Sequence, residues 1–208
     1  MASGKFGAAL GALAVTVLAL IACQSPPAPP PRAMTVGDIL LRAADVPPGL
    51  YRCPQSGSMA SAARVAAPGS LEAGAWTRLV SDGADQGGIV AFSDGAISCA
   101  EELGVATTGR SVTAVVVRFR TQGGALTAYN RGLLGFDSPT QAQDSPFLTV
   151  GAATGLGEHS WVYDPSSGTR LNWIGLWRKG RFLVLLVTAG LDEPTSNGLA
   201  AILDGRIH

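Results

Sequence analysis

The chain has 208 residues, 15 of them basic and 15 acidic, for a formal net charge of zero, and 47% are apolar. Near-neutrality without a cluster of Lys or Arg excludes the basic footprint of nucleic-acid binding, so no nucleic-acid partner is expected. Behind the apolar start remain about 175 residues, enough for one domain with a hydrophobic core.

Lys5 precedes an apolar run, Ala8 to Ala22, in which Thr16 is the one polar side chain. As a helix this run would span about 22 Å, short of the roughly 30 Å hydrocarbon core of a bilayer. It predicts a signal peptide over residues 1–22 and not a membrane span. The run ends in Leu20-Ile21-Ala22-Cys23, with a small residue before the cysteine and a proline-rich stretch after it. This resembles the lipobox of bacterial lipoproteins.

The resemblance implies cleavage after Ala22, acylation of Cys23, for instance with palmitate, and a lipid anchor on the extracytoplasmic side of the cell membrane. Each buried methylene of such a chain adds about 0.8 kcal/mol of anchorage. The alternative is a plain secretory signal cleaved nearby, leaving Cys23 free or disulfide-bonded. Residues 23–33 contain Pro26, Pro27, Pro29, Pro30 and Pro31. Such a stretch favours polyproline II and predicts a semi-rigid tether of about 3 Å per residue. Residues 34–208 form the expected single extracytoplasmic domain. In an oxidising compartment Cys53 and Cys99 are expected to bond to each other, and their wide spacing argues against a redox-active pair.

Thr35 to Ala44 predicts a short helix capped by Thr35, with Val36, Ile39 and Leu40 on its apolar face. Asp45-Val46-Pro47-Pro48-Gly49 predicts an extended turn. Tyr51 to Pro68 has no clear period and reads as loop. Ser70 to Val80 predicts a helix with Leu71, Ala75, Trp76 and Leu79 on one face. Asp82-Gly83 and Gly87-Gly88 read as breaks before a short strand, Ile89 to Ser93. Ser111 to Arg120 is the clearest strand, and Gly123-Gly124 reads as its end. Ala125 to Leu134 predicts a helix, followed by a long connection from Phe136 to Glu158.

Three strands in a meander are expected after that: Ser160 to Asp164, Thr169 to Arg178 and Arg181 to Ala189. A last helix opens at Pro194 and Thr195 and turns Leu199, Ile202 and Leu203 to the core. With Lys179-Gly180 as a two-residue turn, one hairpin face carries Ile174, Leu176, Leu183, Leu185 and Val187. The other carries Trp173, Gly175 and Trp177 beside Phe182, Val184 and Leu186. Gly175 between two tryptophans predicts either a hollow filled by another element or a slot for a small apolar or aromatic ligand. The candidate ligand-binding residues are therefore Trp173, Gly175, Trp177 and Phe182.

Candidate chemistry is sparse. His159 and His208 are the two histidines; no G-x-S-x-G motif occurs, and Asp82 with Asp85, or Glu101 with Glu102, match no metal-binding loop. Gly155-Leu156-Gly157 lacks the strand–loop–helix setting of a phosphate cradle and reads as a turn. Arg178, Lys179 and Arg181 crowd one hairpin tip. No catalytic residue, metal or cofactor is expected.

The mature domain also resembles a family of uncharacterised exported, often lipid-anchored, bacterial domains of high-GC Gram-positive bacteria. The likeness rests on Leu40-Leu41 with Asp45-Val46-Pro47-Pro48-Gly49, on Val115 to Thr121 running into Gly124-Ala125 and Ala128-Tyr129, and on Gly155-Leu156-Gly157-Glu158. Trp177-Arg178-Lys179-Gly180, Leu199-Ala200, Leu203-Asp204 and Arg206-Ile207 complete it. It is similar, more loosely, to extracellular sensor domains of actinobacterial receptor kinases. The resemblance implies an α+β fold, a mainly antiparallel sheet with flanking helices, and supplies no catalytic residues. The sequence thus predicts an α+β domain with a sheet of about five strands and one disulfide. Its expected role is a non-enzymatic ligand-binding or sensor module of the cell envelope. The alternatives are a structural or assembly lipoprotein presenting a surface to an envelope protein and, third, an envelope hydrolase.

Overall fold

A computed structural model describes residues 32–65, 71–95, 99, 109–139, 145–165 and 172–208. The expected signal peptide, Cys23, nearly all of the expected tether, Ser70, Glu101 and Glu102 lie outside the described residues. Residues 34–208 form one compact unit.

Its centre is an antiparallel sheet of eight strands, not about five. The strands are β1 (Tyr51–Arg52), β2 (Gly57–Ser58), β3 (Ala84–Ser93), β4 (Ser111–Phe119), β5 (Leu148–Val150), β6 (His159–Tyr163), β7 (Asn172–Lys179) and β8 (Phe182–Ala189). Their order is β1-β3-β4-β8-β7-β6-β5, with β2 also beside β3. Two meanders, β3–β4 and β5 to β8, are joined through the β4–β8 pair, whose register runs from Ser111 opposite Ala189 to Arg118 opposite Phe182.

The three additional strands, β1, β2 and β5, are two or three residues long and fall in segments without a period. They are strands because β3 and β6 offer backbone partners; each is too short to show an alternation of its own. Gly87-Gly88 does not break the chain either: both residues lie inside the ten-residue β3.

Helices cover both faces. On one side lie α1 (Val36–Ile39) and α5 (Glu193–Gly205); on the other lie α3 (Leu71–Ser81) and α4 (Gln122–Arg131), with Met59 from α2 (Met59–Val65). Alternation sorts the central strands between two cores. Val112, Ala114, Val116, Val184 and Leu186 pack under α1 and α5, while Val115, Val117, Leu183, Leu185 and Val187 pack under α3 and α4. Every residue of β8 is buried. Each of its large apolar side chains contributes about 1.5–3 kcal/mol by leaving water.

α1 is shorter than expected and stops at Leu40. The Asp38 carboxylate accepts both the Thr35 N–H and the Thr35 hydroxyl, at 2.8 and 2.7 Å, and this fixes the helix start. α4 begins earlier than expected because Thr121 caps it, its hydroxyl accepting the Gly124 N–H at 3.1 Å, so Gly123-Gly124 form its first turn. Asp192 caps α5 by accepting the Thr195 N–H at 2.9 Å. No helix among the described residues is long and apolar enough to cross a membrane.

Cys53 and Cys99 form a disulfide across 46 residues of sequence. The Cys53 N–H donates to the Ala91 carbonyl at 2.8 Å, so the bond fastens the segment at Cys99 to the β1–β3 margin.

Candidate functional site

The β7–β8 hairpin presents the two faces expected of it, but its pairing differs. Lys179 lies opposite Phe182 and Arg178 opposite Leu183, so the turn is Gly180-Arg181 and not Lys179-Gly180. Gly180 has φ +56°, and glycine is the residue that a two-residue turn of this kind wants at its first central position. The faces survive because the turn moves one residue along the chain: β7 gains Lys179, β8 loses Arg181, and the register shifts by two, which leaves the alternation intact.

Trp173, Gly175 and Trp177 therefore share a face with Phe182, all within the core under α5. They do not enclose an open slot. A Cβ placed on Gly175 would lie 2.5 Å from the Trp173 ring, so that indole lies over the glycine and fills the space. The Trp173 ring N–H donates to the Asn197 side chain of α5 at 3.1 Å, which holds the ring in that pose. Trp177 is fully buried.

Two of the three hairpin-tip cations have partners, while Arg181 is exposed. Arg178 is buried and paired with Glu158, and it donates to the Gly180 carbonyl at 2.9 Å. Lys179 lies 2.9 Å from the Asp204 carboxylate. The Gly157 N–H donates to the other oxygen of Asp204 at 3.1 Å. Gly157 has φ +47°, and a Cβ there would meet the Arg178 carbonyl at 2.4 Å, which explains a glycine in that turn. His159 is an exposed first residue of β6, beside the Tyr129 ring at 5.8 Å. Asp82 and Asp85 part company: Asp82 pairs with Arg131 and Asp85 with Arg118, each at 2.9 Å. Among the described residues no three His, Cys, Asp or Glu side chains converge as a metal site would require.

A concavity of about 420 Å³ lies elsewhere, at the outer edge of β3. It exists because β2 is cut short. Gly57 and Ser58 pair with Ile89 and Gly88, after which the chain turns into α2 at Met59. Among the described residues, no strand lies outside Ala84–Gly87.

Two glycines let helices crowd both faces at this point. A Cβ on Gly88 would lie 2.8 Å from Leu40 and Val36 of the α1 segment, and one on Gly87 would lie 2.6 Å from the Trp76 ring and 3.1 Å from Met59. The cleft thus has α1 on one flank, Trp76 and Ala60 on the other, Ser58 at its end and backbone along its floor.

Its polar groups are arranged with equal care. β3 shifts register between Ala84 and Gln86, a bulge that sets Asp85 apart from the ladder. Both Asp85 oxygens accept from Arg118, at 2.9 Å each, and Arg118 also donates to the Met34 carbonyl at 3.1 Å. The Arg118 hydrogen bonds hold the Asp85 carboxyl below the usual carboxylate range against desolvation, and the same bonds raise Arg118. The Gln86 side chain accepts the Val36 N–H at 3.3 Å. Arg52, exposed on β1, lines the cleft and has no hydrogen-bond or acidic partner among the described residues. Since Arg118 neutralises Asp85, Arg52 is the charge lining the cleft that has no partner among the described residues.

A second cleft of about 340 Å³ lies between α3 and the turn after α4. Its Arg78, Asp82, Arg131 and Asp137 balance in charge. Sequence reasoning missed the β3 cleft. The available sign was an adjacent glycine pair flanked by Asp85 and the β-branched run from Ile89.

No protein-family model matches the chain, and no curated protein sequence matches it.

Proposed function

We propose that the protein is a lipid-anchored, extracytoplasmic binding module of the cell envelope, held through Cys23 and engaging its ligand at the β3 cleft. The observation that carries the binding reading is the cleft itself. Its glycine floor, aromatic flank and Arg52, which has no partner among the described residues, provide an apolar cradle with a charged anchor, the composition of a ligand site. The anchor rests on the likeness of Leu20-Ile21-Ala22-Cys23 to a lipobox.

The site is placed here and not at Trp173, Gly175, Trp177 and Phe182 because Trp173 covers Gly175. That same covering favours a second reading, in which the surface meets an envelope protein and not a small ring-shaped ligand.

Native mass spectrometry of the full chain extracted from membranes tests the binding reading. A bound species is expected on the wild type and absent from Gly57→Leu, a change with open space around it at a residue that lines the cleft. Identical spectra for the two proteins would remove the cleft from consideration. Labelling cells with a palmitate analogue tests the anchor, and label retained by Cys23→Ser would overturn it.

A further inference from the structure

The floor of the cleft is the edge of a sheet. β3 is paired with β4 along its inner side; among the described residues its outer side is paired at Gly88–Ile89 by β2 and at Phe92–Ser93 by β1, with Ala91 between them bonded to Cys53 and Ser56. Of the residues beyond that pairing, Asp85, Gln86 and Gly87 line the cleft. Such an edge presents N–H and C=O groups in alternation, and the ligand that matches that row is another extended backbone. Natural proteins commonly blunt exposed edges with a lysine, a proline or a covering element. Here the bulge at Asp85 blunts the far end, while at Gly87-Gly88 glycines form the floor with α1 and Trp76 to either side, so among the described residues the near end of the edge is framed and not covered.

We propose that the cleft receives an extended segment of a partner protein as an added antiparallel strand on β3, continuing the line that β2 leaves at Ser58. This deepens the binding reading above and rests on it. In an antiparallel arrangement the incoming strand runs in the same direction as β2, so its N-terminal end abuts Ser58. That is the end nearest Arg52, whose charge has no acidic partner among the described residues and selects an acidic residue there. Side chains of the added strand alternate in direction. One set packs against Leu40 and Val36 and the other against Trp76, so small or apolar residues are selected further along.

Phage-displayed random dodecapeptides selected on the full chain in detergent provide the probe. The tightest binder is then resynthesised with each backbone N–H methylated in turn. Affinity is expected to fall about tenfold or more at every second residue of the docked stretch and to hold at the residues between, the signature of a strand hydrogen-bonded along one edge. Arg52→Glu is expected to weaken an acidic binder by about tenfold and to enrich basic ones. Gly57→Leu and Ala60→Trp, checked for folding by circular dichroism, are each expected to abolish binding.

The proposal is overturned if no peptide enriches, if methylation acts without alternation, or if both cleft-filling variants bind as the wild type does. Should it fail while Gly57→Leu still displaces a native bound species, the binding module stands with a different ligand. If Gly57→Leu displaces nothing, both readings fall.

Discussion

The guanidinium of Arg206 lies 2.8 Å from the carboxylate of Asp45, 161 residues earlier, and also donates to the carbonyls of Leu40 at 3.0 Å and Ile39 at 3.3 Å. One side chain thus ties the end of α5 to the end of α1 and closes the core between them. Both partners are largely buried, with side-chain exposures of 22% and 14%. Charge-assisted hydrogen bonds of this sort contribute about 1.5–3 kcal/mol. Arg206→Met is expected to lower the free energy of unfolding in urea by about 2 kcal/mol, with Asp45→Ala close behind. The double variant should lose less than the sum of the two, because the same contact is removed twice.

Gly175 is expected to resist even the smallest side chain. Its neighbour is the Trp173 ring, 2.5 Å from where a Cβ would stand, and that ring is locked between the sheet and Asn197. Gly175→Ala should therefore destabilise by about 1–3 kcal/mol, the usual cost of overpacking. Trp173→Leu should relieve the added methyl, so the double variant is expected to be more stable than the two single losses combined. Simple additivity in thermal unfolding would show that the ring moves aside freely.

The hairpin faces were legible because alternation depends only on parity, and β7 and β8 are apolar on both sides. The pairing was not, since it turns on Gly180 occupying the first central position of the turn. Trp173 and Trp177 were correctly set on one face with Gly175, but the direction in which an indole folds is a rotamer choice that no periodicity encodes. The β3 cleft was hidden for another reason. Glycine ordinarily weakens a strand, so Gly87-Gly88 read as a break, whereas helices pressing from both faces make glycine the residue that fits. Arg118 and Asp85 meet only through the β3–β4 register, which a reading that starts β3 at Ile89 does not contain.

Opening the Cys53–Cys99 bond releases a loop of 46 residues, for which the chain-entropy model gives about 4 kcal/mol. Dithiothreitol should lower the melting temperature of the wild type and leave that of Cys53→Ser/Cys99→Ser unchanged. The cysteines also report on the anchor. With Cys23 acylated and the other two bonded, the denatured, unreduced chain should show no free thiol. One thiol per chain would count against acylation.

Two carboxylates should leave opposite marks on the pH dependence of stability. Asp85 has its folded pKa lowered by the Arg118 hydrogen bonds. Its contribution is present above the unfolded value of about 3.9 and fades as pH falls through the lower folded value. Asp85→Asn is therefore expected to be less stable than the wild type at pH 7, and the gap should close in acid. Asp164 has its folded pKa raised, first by burial and then by the nearby charge of Glu193. The ionised form is disfavoured in the fold, so it detracts from stability above the folded pKa and ceases to do so below the unfolded one. Asp164→Asn should thus raise the melting temperature at pH 7 and lose that advantage below about pH 4. Melting curves of the three proteins between acid and neutral pH decide both signs, and an Asp164→Asn variant less stable than the wild type at pH 7 would show that the carboxylate is favourably partnered.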